Sequence, residues 1–267
     1  MYTVYCPTDF SAGAKSAADF AVLLAKAWSA PLILIHAYEA PMADEMGISR
    51  FLADIRQLSM DSLKAEAERL EGHFVQVRFD AVYGTIDSVL ASLTEENSAH
   101  SIVVMATQGA NDSVEAFFGT NAVSVMQRLS CPVWVIPPHA RIEKPRKIVV
   151  AVDAELKPTD AAFSTLVVAG KRLGARIEAL HVHISEEEVR PSWAEKEQRI
   201  RAHGIPVEVM RNSTVEEGLM RWTAEEPHVA VAVIVRKRHW LWDLRHHSVS
   251  AGVAYHLNQP LLVLHED

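Results

Sequence analysis

Val4-Tyr5-Cys6-Pro7-Thr8-Asp9 and Lys147-Ile148-Val149-Val150-Ala151-Val152-Asp153 are two apolar, strand-like runs that end in aspartate, and the two aspartates stand 144 positions apart. Each run is followed by apolar residues at helical spacing: Ala17, Phe20, Ala21, Leu24 and Trp28 after the first, Ala162, Leu166, Ala169 and Leu173 after the second. Each helix leads into a second strand with a histidine at its end, Leu32-Ile33-Leu34-Ile35-His36 and Ile177-Glu178-Ala179-Leu180-His181. Self-similarity of this kind has to be settled before any element is assigned, because it decides whether the chain is one fold or the same fold twice.

The copies stay in step to their ends. Thr85 is expected to cap a helix with Ile86, Val89, Leu90 and Leu93 on one face, and Thr214 with Glu217 makes a capping-box pattern ahead of Leu219 and Trp222. Both helices lead to continuous buried strands, Ile102-Val103-Val104-Met105 and Val229 through Val235, of the composition that suits a sheet covered on both faces. Leu129 to Ile136 and Leu257 to Leu264 close the halves, each with a proline (Pro132, Pro260) at the start of the last strand, where no ladder donor is lost. Alternating strands and helices with right-handed crossovers require a parallel sheet with helices on both sides. The expectation is therefore two tandem doubly wound parallel-sheet domains, covering 1–140 and 146–267, joined through the proline-rich, charged segment Pro137 to Pro145. An unpaired apolar edge invites association, so the closing strands Val133–Ile136 and Leu261–Leu264 are expected to pair as in a dimer.

Composition bounds the function. A net charge of −8, with 26 Lys and Arg against 34 Asp and Glu, opposes a nucleic-acid partner. No basic start with an apolar core, and no uninterrupted apolar run of membrane length, is present in the sequence, so no membrane association and a cytoplasmic location are expected. Cys6 and Cys131 lie in apolar runs and read as small core residues. His246-His247 and His181-Val182-His183 carry no accompanying set of three or four ligands, so no metal site is expected.

Ligands of open parallel sheets bind beyond the carboxyl ends of the strands. Asp9 falls at such an end, and so does Met105-Ala106-Thr107-Gln108-Gly109, which is followed after nine residues by Gly119-Thr120-Asn121 opening a helix. Glycines let backbone amides approach an anion, and a helix start supplies unpaired N–H groups. This order and spacing resembles the universal stress protein family, over nearly the whole chain and in both halves. The resemblance implies two five-stranded domains of the adenine nucleotide alpha hydrolase-like fold, forming a pseudo-dimer within the chain and leaving a further homodimer open. It implies a nucleotide site in the first half only, taking ATP or AMP, with or without Mg. Pro7, Thr8 and Asp9 would line the nucleoside and Ala37 the base. Met105 and Ala106 begin the loop, Gly109 and Gly119 are its glycines, and Thr120 and Asn121 would contact phosphates. Ala106 stands where the family has glycine, Asn111 and Asp112 replace further loop glycines, and Asp112 and Glu115 add negative charge.

In the second half the loop after Val235 contains Arg236, Lys237, Arg238, Trp240, Trp242 and Arg245 but no glycine between Gly218 and Gly252, and His247 replaces the glycine before Ser248. That half reads as a degenerate site whose tryptophans fold over the pocket, or as an anion- or partner-binding surface. The chain has no G-x-x-x-x-G-K-[ST] motif and no recognisable base, so the leading expectation is a nucleotide-responsive binding module in stress response, at most a slow ATPase. The alternative is a scaffold or interaction protein with both sites vestigial. A nucleotidylyl-transferring or amidating enzyme ranks below both, because Pro7-Thr8-Asp9-Phe10-Ser11 carries no glycine loop.

Overall fold

The computed structural model describes residues 1–39, 48–72, 75–107, 119–152, 160–184, 192–224, 226, 228–236 and 258–266. The chain divides into two compact units, Met1–Pro138 and His139–Asp267, so the segment 139–145 goes with the second.

The first unit runs β1 (Thr3–Pro7), α1 (Ala12–Trp28), β2 (Leu32–Tyr38), α2 (Ile48–Glu71), β3 (Val77–Tyr83), α3 (Ile86–Thr94), a short 3-10 segment, β4 (Ser101–Ala106), α4 (Thr120–Arg128) and β5 (Val133–Ile136). Its strands lie in the order β3-β2-β1-β4-β5, with every neighbouring pair parallel. The second unit runs β6 (Lys147–Ala151), α5 (Asp160–Leu173), β7 (Arg176–Ile184), α6 (Ser192–Ala202), β8 (Val207–Asn212), α7 (Val215–Ala224), β9 (Val229–Arg236) and β10 (Leu261–Glu266). Here the order is β8-β7-β6-β9-β10, again parallel throughout. Each unit is thus a doubly wound α/β sheet whose order reverses beside its first strand, and the reversal opens a crevice at the strand carboxyl ends.

The two units repeat one register. Thr3 pairs with Ser101 as Lys147 pairs with Val229. The Val103 N–H donates to the Pro132 carbonyl at 3.0 Å, and the Val231 N–H to that of Pro260 at 3.0 Å.

Helix α1 shows how local chemistry positions the site. The Ser11 hydroxyl accepts the Ala14 N–H at 3.2 Å and starts the helix, and Ser29 in a left-handed conformation ends it. Between them Ala17, Phe20, Ala21, Leu24 and Trp28 are buried, as their spacing predicts. Phe20 meets Trp134 of β5 with ring centroids 5.4 Å apart. Helix α2 is tied to α1 by charge: the Arg69 guanidinium grips both oxygens of the buried Glu66 carboxylate, at 2.9 and 2.7 Å, and donates to Asp19 at 2.6 Å. Cys6 and Cys131 are free and buried, and burial pushes the Cys131 thiol up to about 12. Both therefore pack as small apolar groups, not as nucleophiles.

The caps differ between copies. Thr214 Oγ1 accepts the Glu217 N–H at 3.1 Å, and the Glu217 carboxylate turns back to the Ser213 hydroxyl. Thr85 occupies the same helix start, but its hydroxyl donates to Ser88 Oγ at 2.8 Å instead of receiving a backbone N–H.

A volume exchange also distinguishes them. Val89 and Gly218 correspond, since their N–H groups bond to Thr85 and Thr214 in turn. Ala37 and Val182 correspond because each follows the histidine of the second strand. A methyl added at Gly218 would come within 2.7 Å of a Val182 methyl carbon. Gly218→Ala is expected to destabilise the protein by about 1–3 kcal/mol through overpacking, despite a helix-propensity gain of about 1 kcal/mol. Adding Val182→Ala should recover most of that loss in a denaturant-unfolding cycle. An unchanged loss in the double variant would show that the two side chains are not coupled.

Among the described residues, no helix is long and apolar enough to cross a membrane.

Candidate functional site

The crevice between β1 and β4 holds a cavity of about 100 Å³, to which Pro7, Thr8, Asp9, Ala37, Met105, Ala106 and Asn121 all contribute. Gly119 is buried and Thr120 exposed at the start of α4, and neither lines the cavity. Gly109 lies outside the described residues, as do Asn111, Asp112 and Glu115, and in the second half Asp153, His246, His247, Ser248, Trp240 and Trp242. The cavity is also lined by His36, Ala14, Ile86, Thr107 and Ala122, which the sequence reading did not assign to the site.

The wall on β1 is a hydrogen-bonded turn. The Thr8 N–H continues the ladder to the Ile35 carbonyl at 2.9 Å, after which Phe10 adopts a positive φ of 65°. A bulky residue holds that conformation only when its surroundings fix it. Here they do: the Phe10 N–H donates to Thr8 Oγ1 at 3.0 Å, the Phe10 ring packs on His36 at 4.8 Å, and the His36 Nδ1–H donates to the Thr8 carbonyl at 2.8 Å. The Ser11 N–H donates to Asp9 Oδ1 at 3.0 Å, which sets the exposed carboxylate at the mouth. The second unit keeps the tether, with His181 Nδ1 at 2.9 Å from the Val152 carbonyl. In place of Ala37 it carries the larger Val182, 4% exposed. His181 itself is stacked under Trp193 at 3.7 Å.

The opposite wall comes from the end of β4 and the start of α4. The Thr107 N–H donates to the Ile136 carbonyl at 3.1 Å, and the Thr107 carbonyl accepts the Gly119 N–H at 2.7 Å. That second bond pins the helix start beside the strand end, and it removes the Gly119 amide from the donors that the sequence reading had aimed at phosphate. The donors left are the N–H groups of Thr120, Asn121 and Ala122, which open α4 without partners inside the helix. Thr107 Oγ1 is buried and has no hydrogen-bond partner among the described residues.

Chemically, the cavity offers an apolar floor of Ala14, Ala37, Ile86, Met105 and Ala106, a carboxylate acceptor at Asp9 and a positive helix end, with Thr107 in its lining. Among the described residues no three His, Cys, Asp or Glu side chains gather to hold a metal ion.

Both units have the doubly wound parallel sheet of the adenine nucleotide alpha hydrolase-like fold. The family model described as Universal stress protein family matches residues 1–137, and the chain belongs to that family. No curated protein matches it in sequence. Among solved structures, a universal stress protein from Archaeoglobus fulgidus DSM 4304 is similar at a TM-score of 0.74 and 16% identity, covering 98% of this chain and 96% of the other. A putative universal stress protein from Pseudomonas aeruginosa UCBPP-PA14 is similar at 0.61 and 14%, covering 99% and 93%. The cytoplasmic domain of a prokaryotic cation chloride cotransporter also shares the fold, at 0.50 and 10%, covering 98% and 94%. The fold thus serves more than one setting, and function has to be argued from the site.

Proposed function

We propose that the chain is a nucleotide-responsive binding module of stress response, taking ATP or AMP, with or without Mg, in its first half alone. The observation that carries this reading is the meeting of Asp9, the alanine floor and the opening turn of α4 at one cavity, lined as well by Thr107, whose buried hydroxyl has no partner among the described residues. A buried hydroxyl without a partner costs free energy, and a polar ligand would satisfy it. Asp9 accepts from ribose or adenine donors, the alanine floor admits a flat base beside Ala37, and the helix end favours phosphate. Gly109, Gly119 and Thr120 complete the proposed set, with Gly119 acting through its hold on Thr107.

Small molecules released on denaturing the purified protein test this directly. About one adenine nucleotide per chain is expected. In titrations with AMP and ATP, Ala37→Val, which introduces the side chain of the second half, should weaken both about tenfold or more, since overpacking costs about 1–3 kcal/mol. Val182→Ala should leave both unchanged. Equal loss from the two variants would contradict the asymmetric assignment.

A second reading, a scaffold with vestigial sites, is favoured by the Ala106 methyl in the cavity wall and by the engaged Gly119 amide. It expects no nucleotide to be released and no saturable binding.

A further inference from the structure

The second unit has a cleft at the other end of its sheet, where the strands begin. It encloses about 340 Å³, inside the range of roughly 300–1,000 Å³ typical of small-molecule sites. Its walls are residues of the segment 139–145, Thr223 and Ala224 at the end of α7, His228 and Val229 at the start of β9, and Asn258-Gln259 ahead of β10. These walls are anchored by the backbone. The Arg146 N–H donates to the His228 carbonyl at 2.9 Å, the Glu226 N–H to that of Thr223 at 3.2 Å, and the Val231 N–H to that of Pro260 at 3.0 Å.

The duplication supplies its own comparison. By the shared register, Tyr2, His100, Ser130 and Cys131 in the first unit correspond to Arg146, His228, Asn258 and Gln259. In the first unit the Tyr2 ring packs on His100 at 5.2 Å, and Cys131 is fully buried. In the second, two amide side chains replace the serine and the cysteine. Among the described lining residues the one carboxylate, Glu143, accepts the His228 Nδ1–H at 2.8 Å, and nearby Glu226 is held by Lys147 at 2.7 Å. Of the cleft's other polar groups, Arg141 is a fixed cationic donor, and the Asn258 and Gln259 amides and the His139 imidazole can each present an N–H.

We infer that this cleft is a second ligand site, for a small organic anion bearing a carboxylate or a phosphate, gripped by the Arg141 guanidinium and the Asn258 and Gln259 amides. The guanidinium fork matches two oxygens of either group, and neither donor set depends on the nucleotide site of the first half.

The test uses the full chain, titrated separately with succinate, inorganic phosphate and, at matched ionic strength, sodium chloride, following the histidine side-chain resonances by NMR. Saturable shifts of His139 and His228 with succinate, phosphate or both are expected, and the tighter of the two names the headgroup. Arg141→Gln at this exposed position should weaken binding about tenfold or more, as loss of a charge-assisted contact does. Glu143→Gln should strengthen it by removing the competing carboxylate, and Ala37→Val should leave it unchanged. Identical shifts with chloride, wild-type affinity in Arg141→Gln, or no saturation with either anion would overturn the inference.

Discussion

Thr107→Val is expected to make the ligand-free protein more stable and at the same time weaken nucleotide binding about tenfold. The backbone of Thr107 is held on both sides, by Ile136 through its N–H and by Gly119 through its carbonyl, so an isosteric valine leaves the strand end in place. What changes is one hydroxyl, 1% exposed with its residue and unpartnered. Leaving such a group unsatisfied costs about 1–3 kcal/mol, which the valine recovers in the free protein. The same hydroxyl is worth about 1 kcal/mol or more to a ligand that bonds to it, so the ligand-induced rise in Tm should shrink as the baseline Tm climbs. Calorimetric titration of AMP and ATP, with thermal unfolding of both proteins, is sufficient. General damage lowers both quantities and cannot mimic a rise in one with a fall in the other. Unchanged affinity in a stabilised variant would show that the hydroxyl does not serve a ligand.

Phe20→Ala should cost about 3–5 kcal/mol, the usual loss on emptying a fully buried aromatic site. Phe20 is 0% exposed and packs on Trp134, 1% exposed, so truncation also forfeits an aromatic pair worth about 0.5–1.5 kcal/mol beyond its area. Against a total stability of about 5–15 kcal/mol this is large. The functional consequence is indirect: Phe20 seats α1 on the sheet, and α1 carries Ala14 into the cavity wall and is capped by Ser11 beside Asp9. Phe20→Leu should retain most of the stability and the nucleotide affinity. Denaturant unfolding of the two variants checks the order, and a loss below about 1 kcal/mol for Phe20→Ala would place the weight of the first core elsewhere.

The site was partly legible before the fold was known. Pro7, Thr8, Asp9, Met105 and Ala106 sit where apolar runs stop, and the end of a buried strand is visible as a change in composition. Ala14, Ile86 and Ala122 were not assigned to it, because a small or apolar residue in the first turn of a helix reads the same whether it faces a cavity or another side chain. His36 was read only as a marker of the repeat, and its bond to the Thr8 carbonyl spans 28 positions of chain. Strand β3 was not assigned: its burial alternates at a polar edge, with Arg78 and Asp80 on the outer face, so it lacks the continuous apolar signal of β4.

The sequence by itself determined the duplication, the alternation of strands and helices and the first buried face of α1, since side-chain periodicity and β-branched runs are local properties that repeat in plain view. The tertiary structure alone decided the order β3-β2-β1-β4-β5, the pairing of the Gly119 amide with Thr107, the orphaned Thr107 hydroxyl, the exchange of volume between Val182 and Gly218, and the cleft at Arg141. Each of these depends on which distant groups come within a few ångströms of one another. A donor or a methyl carries no mark in the sequence of whether its partner is present.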